Sequence, residues 1–249
     1  MTIAYDGMAY DDKGSGPVLL LVHGHPFDRT MWRPQFAHFA PRFRVLAPDL
    51  RGYGETRLPP ATSFAAFADD LADLLDSLGV GETVLCGLSM GGQIAMEFHR
   101  RFPDRVRALI LADTTARAET PDGHHDRLSM ADRLEREGME PYAREVLWKM
   151  VAPGNTEAAD HVLRMMLAAP PSGAAAAQRA RATRPDYRQT LRGARVLTVV
   201  GSEDEYTPVA EAELIPATTR VVIPGAAHLP NLERPDQFNR AVATFLDSL

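Results

Sequence analysis

The stretch Val84-Leu85-Cys86-Gly87-Leu88-Ser89-Met90-Gly91-Gly92 constrains this chain more than any other. Its apolar run suits a buried strand and stops at Gly87, and from Gln93-Ile94-Ala95-Met96-Glu97-Phe98 a helical pattern begins. Between them, Ser89 stands in a G-x-S-x-G arrangement, which puts a hydroxyl at the tip of a strained strand-to-helix turn. Gly87 and Gly91 give that turn room, because a Cβ at either place would collide with neighbouring backbone. The helix that follows aims its first amides at the same point, where they favour negative charge. A serine held in this way is a candidate nucleophile.

With 249 residues, 45% hydrophobic and 24% charged, the chain is long enough for one large α/β domain or a domain with an insertion. Its net charge of −6 and the lack of any basic block argue against nucleic acid or an anionic membrane as a partner. No apolar run approaches a membrane span, and Met1-Thr2-Ile3-Ala4-Tyr5-Asp6 lacks the pattern of a signal peptide, so a cytoplasmic location is expected. The one cysteine, Cys86, excludes an intrachain disulfide and reads as a buried strand residue.

Along the chain, residues 2–12 read as two short strands around the turn Asp6-Gly7. Val18 to Val22 is a continuous apolar run, as expected of a strand covered on both faces, and it ends in His23-Gly24-His25-Pro26-Phe27-Asp28. A helix is expected over Trp32 to Phe39, and a second strand over Phe43 to Leu50. From Ser63, a suitable N-cap, apolar residues Phe64, Phe67, Leu71, Leu74, Leu75 and Leu78 fall three or four apart and predict a helix to Gly79. Val106 to Ala112 is a further strand. Strands alternating with helices in this way imply β-α-β units and a mainly parallel sheet.

The alternation lapses between residues 115 and 187, where helical patterns (Met130 to Glu137, Tyr142 to Met150, Ala158 to Leu167, Ala174 to Arg181) are separated by Pro and Gly. So long a stretch reads as a helical cap inserted in a core made of residues 1–114 and 188–249. The sheet resumes with Arg195 to Gly201 and Arg220 to Ile223. A last helix begins near Pro235 and buries Phe238, Val242, Phe245 and Leu246.

A serine hydroxyl needs a base. Of the 8 histidines, only His23, His25 and His228 come just after strands, where a parallel sheet gathers its site. His228, in Gly225-Ala226-Ala227-His228, is the expected base, and His23 is assigned a structural role in its loop. An imidazole in turn needs a carboxylate to orient it. Asp204, right after the penultimate strand, is favoured over Asp113 at the end of an earlier one, and Ser89, Asp204, His228 follow the chain order Ser…Asp…His. The backbone N–H groups of Met90 and His25 are candidate oxyanion donors, with direct substrate contact by the His25 side chain as the alternative. Phe27, Trp148 and Met150 are candidate substrate-lining residues, and Tyr142, Met165 and Met166 are further apolar residues of the insertion that could face a pocket.

His23-Gly24-His25-Pro26, Asp49-Leu50-Arg51-Gly52-Tyr53-Gly54, Gly87 to Gly92, Gly201-Ser202-Glu203-Asp204 with Pro208, and Gly225 to His228 together resemble the α/β-hydrolase superfamily over nearly the whole chain. Within it, the segment Pro224 to Pro235 is similar to small carboxylesterases and 3-oxoadipate enol-lactone hydrolases. The resemblance implies an α/β-hydrolase fold with a mostly parallel eight-stranded sheet, helices on both faces and a helical cap. It implies a Ser-His-Asp serine esterase or lactonase, metal-free and without a cofactor, acting on a small-molecule ester or lactone, with homo-oligomers possible. In the superfamily the residue after His-Gly supplies an oxyanion amide, which points to His25, although related haloperoxidases and aryl esterases usually carry Trp there. Ser89 argues against dehalogenases and epoxide hydrolases, which place Asp at that position. A C–C bond hydrolase, a perhydrolase and a slow-turnover ligand sensor remain as alternatives on the same residues.

Overall fold

A computed structural model describes the backbone from Thr2 to Leu249 and the side chains from Asp6 onward. Strands β1 (Thr2–Tyr5) and β2 (Met8–Lys13) form an antiparallel hairpin across Asp6 and Gly7, which both take positive φ. Then follow β3 (Val18–Val22), α1 (Arg33–Phe39), β4 (Arg44–Pro48), α2 (Phe64–Ser77), β5 (Thr83–Leu88), α3 (Met90–Arg101) and β6 (Val106–Ala112). Four helices come next, α4 (Pro121–Glu137), α5 (Met139–Met150), α6 (Thr156–Ala168) and α7 (Pro171–Ala182). The chain ends with β7 (Val196–Gly201), α8 (Val209–Glu213), β8 (Thr219–Ile223), α9 (Pro230–Glu233) and α10 (Pro235–Leu246).

The eight strands lie in the order β1-β2-β4-β3-β5-β6-β7-β8, and every pairing from β4 to β8 is parallel. The chain steps from β3 to β4 on one side, then crosses back to place β5 on the other side of β3. That reversal opens a crevice beyond the carboxyl ends of β3 and β5, where His25 and Ser89 follow their strands. The central strands are continuously apolar because helices cover both faces; Leu19, Leu20, Val22, Leu85, Leu109 and Leu197 are almost fully buried. Each such side chain contributes about 1.5–3 kcal/mol by leaving water. No helix among the described residues is long and apolar enough to cross a membrane.

Helix α2 starts at its expected cap, with Ser63 Oγ accepting from the Ala66 N–H, and turns its apolar face into the core. Helix α4 begins nine residues before the apolar pattern that predicts it, at Pro121, with Thr120 Oγ1 accepting from the Gly123 N–H at 3.0 Å. Its first half (Asp122, Gly123, His124, His125, Asp126) is largely exposed, so no apolar periodicity marks it; only the Thr-Pro cap does. The short helices α8 and α9 have no expectation behind them, being too brief to carry a period.

Helix α7 is built of small residues, and Ala174 to Ala177 are buried where it packs along α4. It also touches the loop after β4: a Cβ on Gly173 would lie 1.9 Å from the Gly52 carbonyl oxygen. Alanine in place of glycine ordinarily stabilises a helix by about 1 kcal/mol. Gly173→Ala is expected to do the reverse, lowering the free energy of unfolding in urea by roughly 1–3 kcal/mol through overpacking. A neutral or stabilising result would show that α7 is not seated on this loop.

Candidate active site

Ser89 occupies φ 54°, ψ −114°, a conformation that L residues rarely adopt. The turn is fixed on all sides. The Ser89 N–H donates to the Ala112 carbonyl on β6 at 2.8 Å, and its own carbonyl accepts from Thr114 Oγ1 at 2.7 Å. A Cβ on Gly87 would lie 2.3 Å from the Gly91 oxygen, and one on Gly91 would lie 2.1 Å from the Val22 oxygen. Helix α3 therefore meets the end of β3 at a distance open only to glycine, and its N-terminus points at Ser89.

His228, in the loop between β8 and α9, is buried with its Nδ1 donating to Asp204 Oδ2 at 2.9 Å. This bond sets the tautomer and leaves Nε2 as the free ring nitrogen. The ring of Tyr206 packs edge-on against the imidazole at 5.2 Å. Asp204 sits in the turn after β7, where it also accepts from the Tyr206 N–H at 2.8 Å, the Thr207 N–H at 3.2 Å and the Thr207 hydroxyl. Burial alone would raise this carboxyl, but the neighbouring His228 and these donors hold it well below the ordinary carboxylate range.

Asp113, the other candidate carboxyl, is in the same place. It follows β6 at φ 44°, and its carboxyl, that of Asp204 and the His228 ring offer atoms within 4.8 Å of one another. Its Oδ1 accepts from the Gly201 N–H at 2.9 Å, while buried Oδ2 meets no donor. Burial first, and then the Asp204 charge and a hydrogen bond with it, push the Asp113 carboxyl well above its usual value. A proton on Asp113 turns the unsatisfied oxygen into a donor toward Asp204. The two carboxyls thus divide: Asp204 holds the imidazole and is shifted toward its ionised form, and Asp113 stands beside it shifted toward its protonated form.

Beyond β3, His23 ties the loop down: its Nδ1 donates to the Gly24 carbonyl and its Nε2 accepts from the Leu50 N–H, each at 2.9 Å. His25 is nearly fully buried. Its Nδ1 bonds the Tyr53 hydroxyl at 2.7 Å, and Gln178 of α7 donates to its Nε2 at 3.1 Å. Burial and the nearby Arg181 and Arg127 keep this ring neutral. The backbone N–H groups of His25 and Met90 donate to no protein acceptor among the described residues. The segment from Asp49 to Gly54 braces this loop: Asp49 accepts from the Arg29 and Glu55 N–H groups at 2.8 Å, and Tyr53 fixes His25.

Ser89, His25 and His228 open onto one cavity of about 410 Å³ roofed by α4, α5 and α7. Met150 and Tyr142 line it. Phe27 does not: it is 1% exposed, turned into the core behind the loop where its ring packs against Gly24. Nor does Trp148, which is 53% exposed. At 100° per residue, α5 turns Tyr142, Val146 and Lys149 toward the cavity and Trp148 away. Met165 and Met166 belong to the packing of the insertion itself. Gln178, Arg127, Arg181 and Tyr206 line the cavity without having stood out in the sequence. The Ala-rich run beside Gln178 and Arg181 is the signal that locates them.

Residues 19–241 match a family model described as alpha/beta hydrolase family. The chain belongs to this family. Like this hydrolase over almost its full length is an esterase from Thermogutta terrifontis solved with malate bound (40% identity, TM-score 0.93, covering 99% of this chain and 96% of that one). The enol-lactonase from Burkholderia xenovorans is 28% identical, with a TM-score of 0.87, covering 99% of this chain and 100% of that one. Among curated relatives, a 2-(acetamidomethylene)succinate hydrolase of Mesorhizobium japonicum is 30% identical over 95% of this chain and 90% of its own length. The alpha/beta hydrolase fold expected from the motifs is thereby shown, along with the likeness to esterases and enol-lactonases.

The contrast between the two carboxyls has a measurable consequence. A carboxyl whose value is raised in the fold contributes stability that is complete below its unfolded value and fades as pH climbs toward the folded one. Asp113→Asn removes that titration while its amide still offers a donor to Asp204. The stability of Asp113→Asn relative to wild type is expected to rise as pH climbs above the ordinary carboxylate value of about 4, followed by urea unfolding at a series of pH values. A pH-independent difference would mean that Asp113 is ionised in the fold.

Proposed function

We propose that this alpha/beta hydrolase cleaves small carboxylic esters or lactones through an acyl-enzyme on Ser89. The observation that carries the reading is the 2.9 Å bond between Asp204 and His228, made beneath a cavity that the strained Ser89 also faces. In this reading Nε2 of His228 takes the proton as Ser89 Oγ attacks the carbonyl carbon, and Asp204 stabilises the imidazolium. Catalytic hydrogen bonds between hydroxyl and imidazole often close only on the bound substrate. The His25 and Met90 N–H groups then receive the oxyanion; losing one such donor typically costs about 2.7–4 kcal/mol of transition-state stabilisation. His228 returns its proton to the leaving alkoxide. It next activates a water that attacks the acyl carbon, and Ser89 leaves with the carboxylic acid released.

The enol-lactonase and esterase relatives support the ester or lactone as the bond attacked. Residues 1–114 and 188–249 form the core that carries the triad, and residues 115–187 act as the cap that selects the substrate.

Ser89→Ala is expected to lower turnover of a small ester on the order of 10⁶-fold and to abolish covalent labelling by a fluorophosphonate, read by intact-protein mass. Asp204→Asn is expected to cost about 10⁴-fold, whereas Asp113→Asn retains most activity. A Ser89→Ala enzyme within tenfold of wild type would overturn the assignment.

A further inference from the structure

Two arginines on α7 meet opposite fates. Arg179 points outward and finds Glu135 at 2.7 Å and Asp132 at 2.9 Å on α4. Arg181 lies two residues, and so about 200°, further round the helix. It lines the cavity that Ser89 and His228 face, and its side chain makes no hydrogen bond or ion pair among the described residues; its Nε is buried without an acceptor. Neighbouring charge deepens the deficit. Arg127 and Arg184 stand close by, and both already draw on one carboxylate, Glu119. Glu119 is thus taken up by two guanidinium groups, and Arg181 makes no ion pair with it. Burial and this repulsion lower Arg181 to about 9, so it is still a cation at neutral pH.

The remaining carboxylates at the cavity leave Arg181 unpaired. Glu145 on α5 is held by Arg133 at 2.8 Å and is half exposed, and Asp126 on α4 is exposed. Lys149, also on the wall, adds positive charge. The field of Arg181 reaches both sides of the reacting centre: it acts on His25 in the loop after β3 and on Tyr206, whose ring rests on His228. Because Ser89, His228 and Arg181 line the same cavity of about 410 Å³, one small molecule can touch Ser89 and Arg181 together. A guanidinium left without a partner in an enclosed site matches a carboxylate through two parallel hydrogen bonds.

We propose that Arg181 is a specificity-determining residue that binds a free carboxylate on the substrate, so that the preferred substrates are anionic: half-esters of dicarboxylic acids, or esters and lactones that carry a carboxylate elsewhere. The proposal rests on the Ser89 hydrolase reading for its chemistry but not for its binding. Arg127 supports the subsite indirectly, through its hydrogen bond to Gln178 at 3.2 Å, and adds to its positive potential.

The test compares monomethyl succinate (carboxylate on the acyl side) and acetoxyacetate (carboxylate on the alcohol side) with their neutral methyl esters, followed by pH-stat. Wild type is expected to favour at least one anionic ester over its neutral form by tenfold or more in kcat/KM. Arg181→Gln should lower that value between about 10- and 100-fold while leaving the neutral ester within threefold, and Arg181→Lys should fall between. The thermal midpoint of Arg181→Gln should match or exceed that of wild type, because a structural arginine would lower it and a binding one would not. Succinate binding to the Ser89→Ala protein, measured by calorimetry, should vanish in Ser89→Ala/Arg181→Gln. Equal losses on neutral and anionic esters, or unchanged succinate binding, would overturn the subsite. Should no ester be turned over, the hydrolase reading fails alone and the calorimetry still decides the carboxylate site.

Discussion

A serine at positive φ has to be forced there, and in this chain the force comes from helix α3 lying almost on the end of β3. A non-glycine residue in such a conformation costs on the order of 1–3 kcal/mol. That strain is sustained because Gly91 packs onto the Val22 carbonyl, Gly92 against the Thr114 side chain, and the Ser89 amide and carbonyl are each bonded to the segment leaving β6. The same approach brings the first amide of α3 beside the loop that begins after Val22. A displacement of α3 by a single methyl group would release the serine turn and separate the two free N–H groups together. The strand crossover that places β5 beside β3 is therefore not just topology; it creates the contact on which the geometry of the site depends.

The carboxyl pair shows the same economy in electrostatics. Asp204 and Asp113 come from the ends of neighbouring strands β7 and β6, close enough that two full charges would repel strongly in a buried place. Their environments separate them. Asp204 receives donors from a tight turn and faces His228, whereas Asp113 has one backbone donor and the Asp204 carboxylate as its neighbour. Sequence order alone made them rivals for one role. The structure makes them complementary, because a neutral carboxyl can donate to an ionised one and a second carboxylate could not.

Much of this was legible because local chemistry is written locally. The G-x-S-x-G turn needs its glycines for reasons contained within five residues, and the apolar runs of β3, β5, β6 and β7 declare strands covered on both faces. The residues after those strands had to converge once the sheet was parallel. The hidden part lies in the insertion, where function depends on which way a helix is rotated. Trp148 looked like a pocket residue by size, but rotation of α5 faces it to solvent; Phe27 sits in the right loop, yet the turn at Gly24 directs it inward. The polar first half of α4 carried no period to read.

Helix α7 concentrates both halves of that lesson. In sequence, Ala174 to Arg181 reads as a helical pattern that opens on a short alanine run. Its small residues let the helix sink between α4 and the Gly52 loop, and that depth carries Gln178 onto His25 and Arg181 to the cavity wall. Whether an arginine is a surface ion pair or an unanswered charge on a cavity wall cannot be told from its own neighbours in sequence, since Arg179 and Arg181 share them. It is decided by how far α7 is buried and by Glu119 being already paired with Arg127 and Arg184. Sites that bind a ligand commonly leave such a group unsatisfied in the protein alone, giving up stability where the ligand supplies the missing partner.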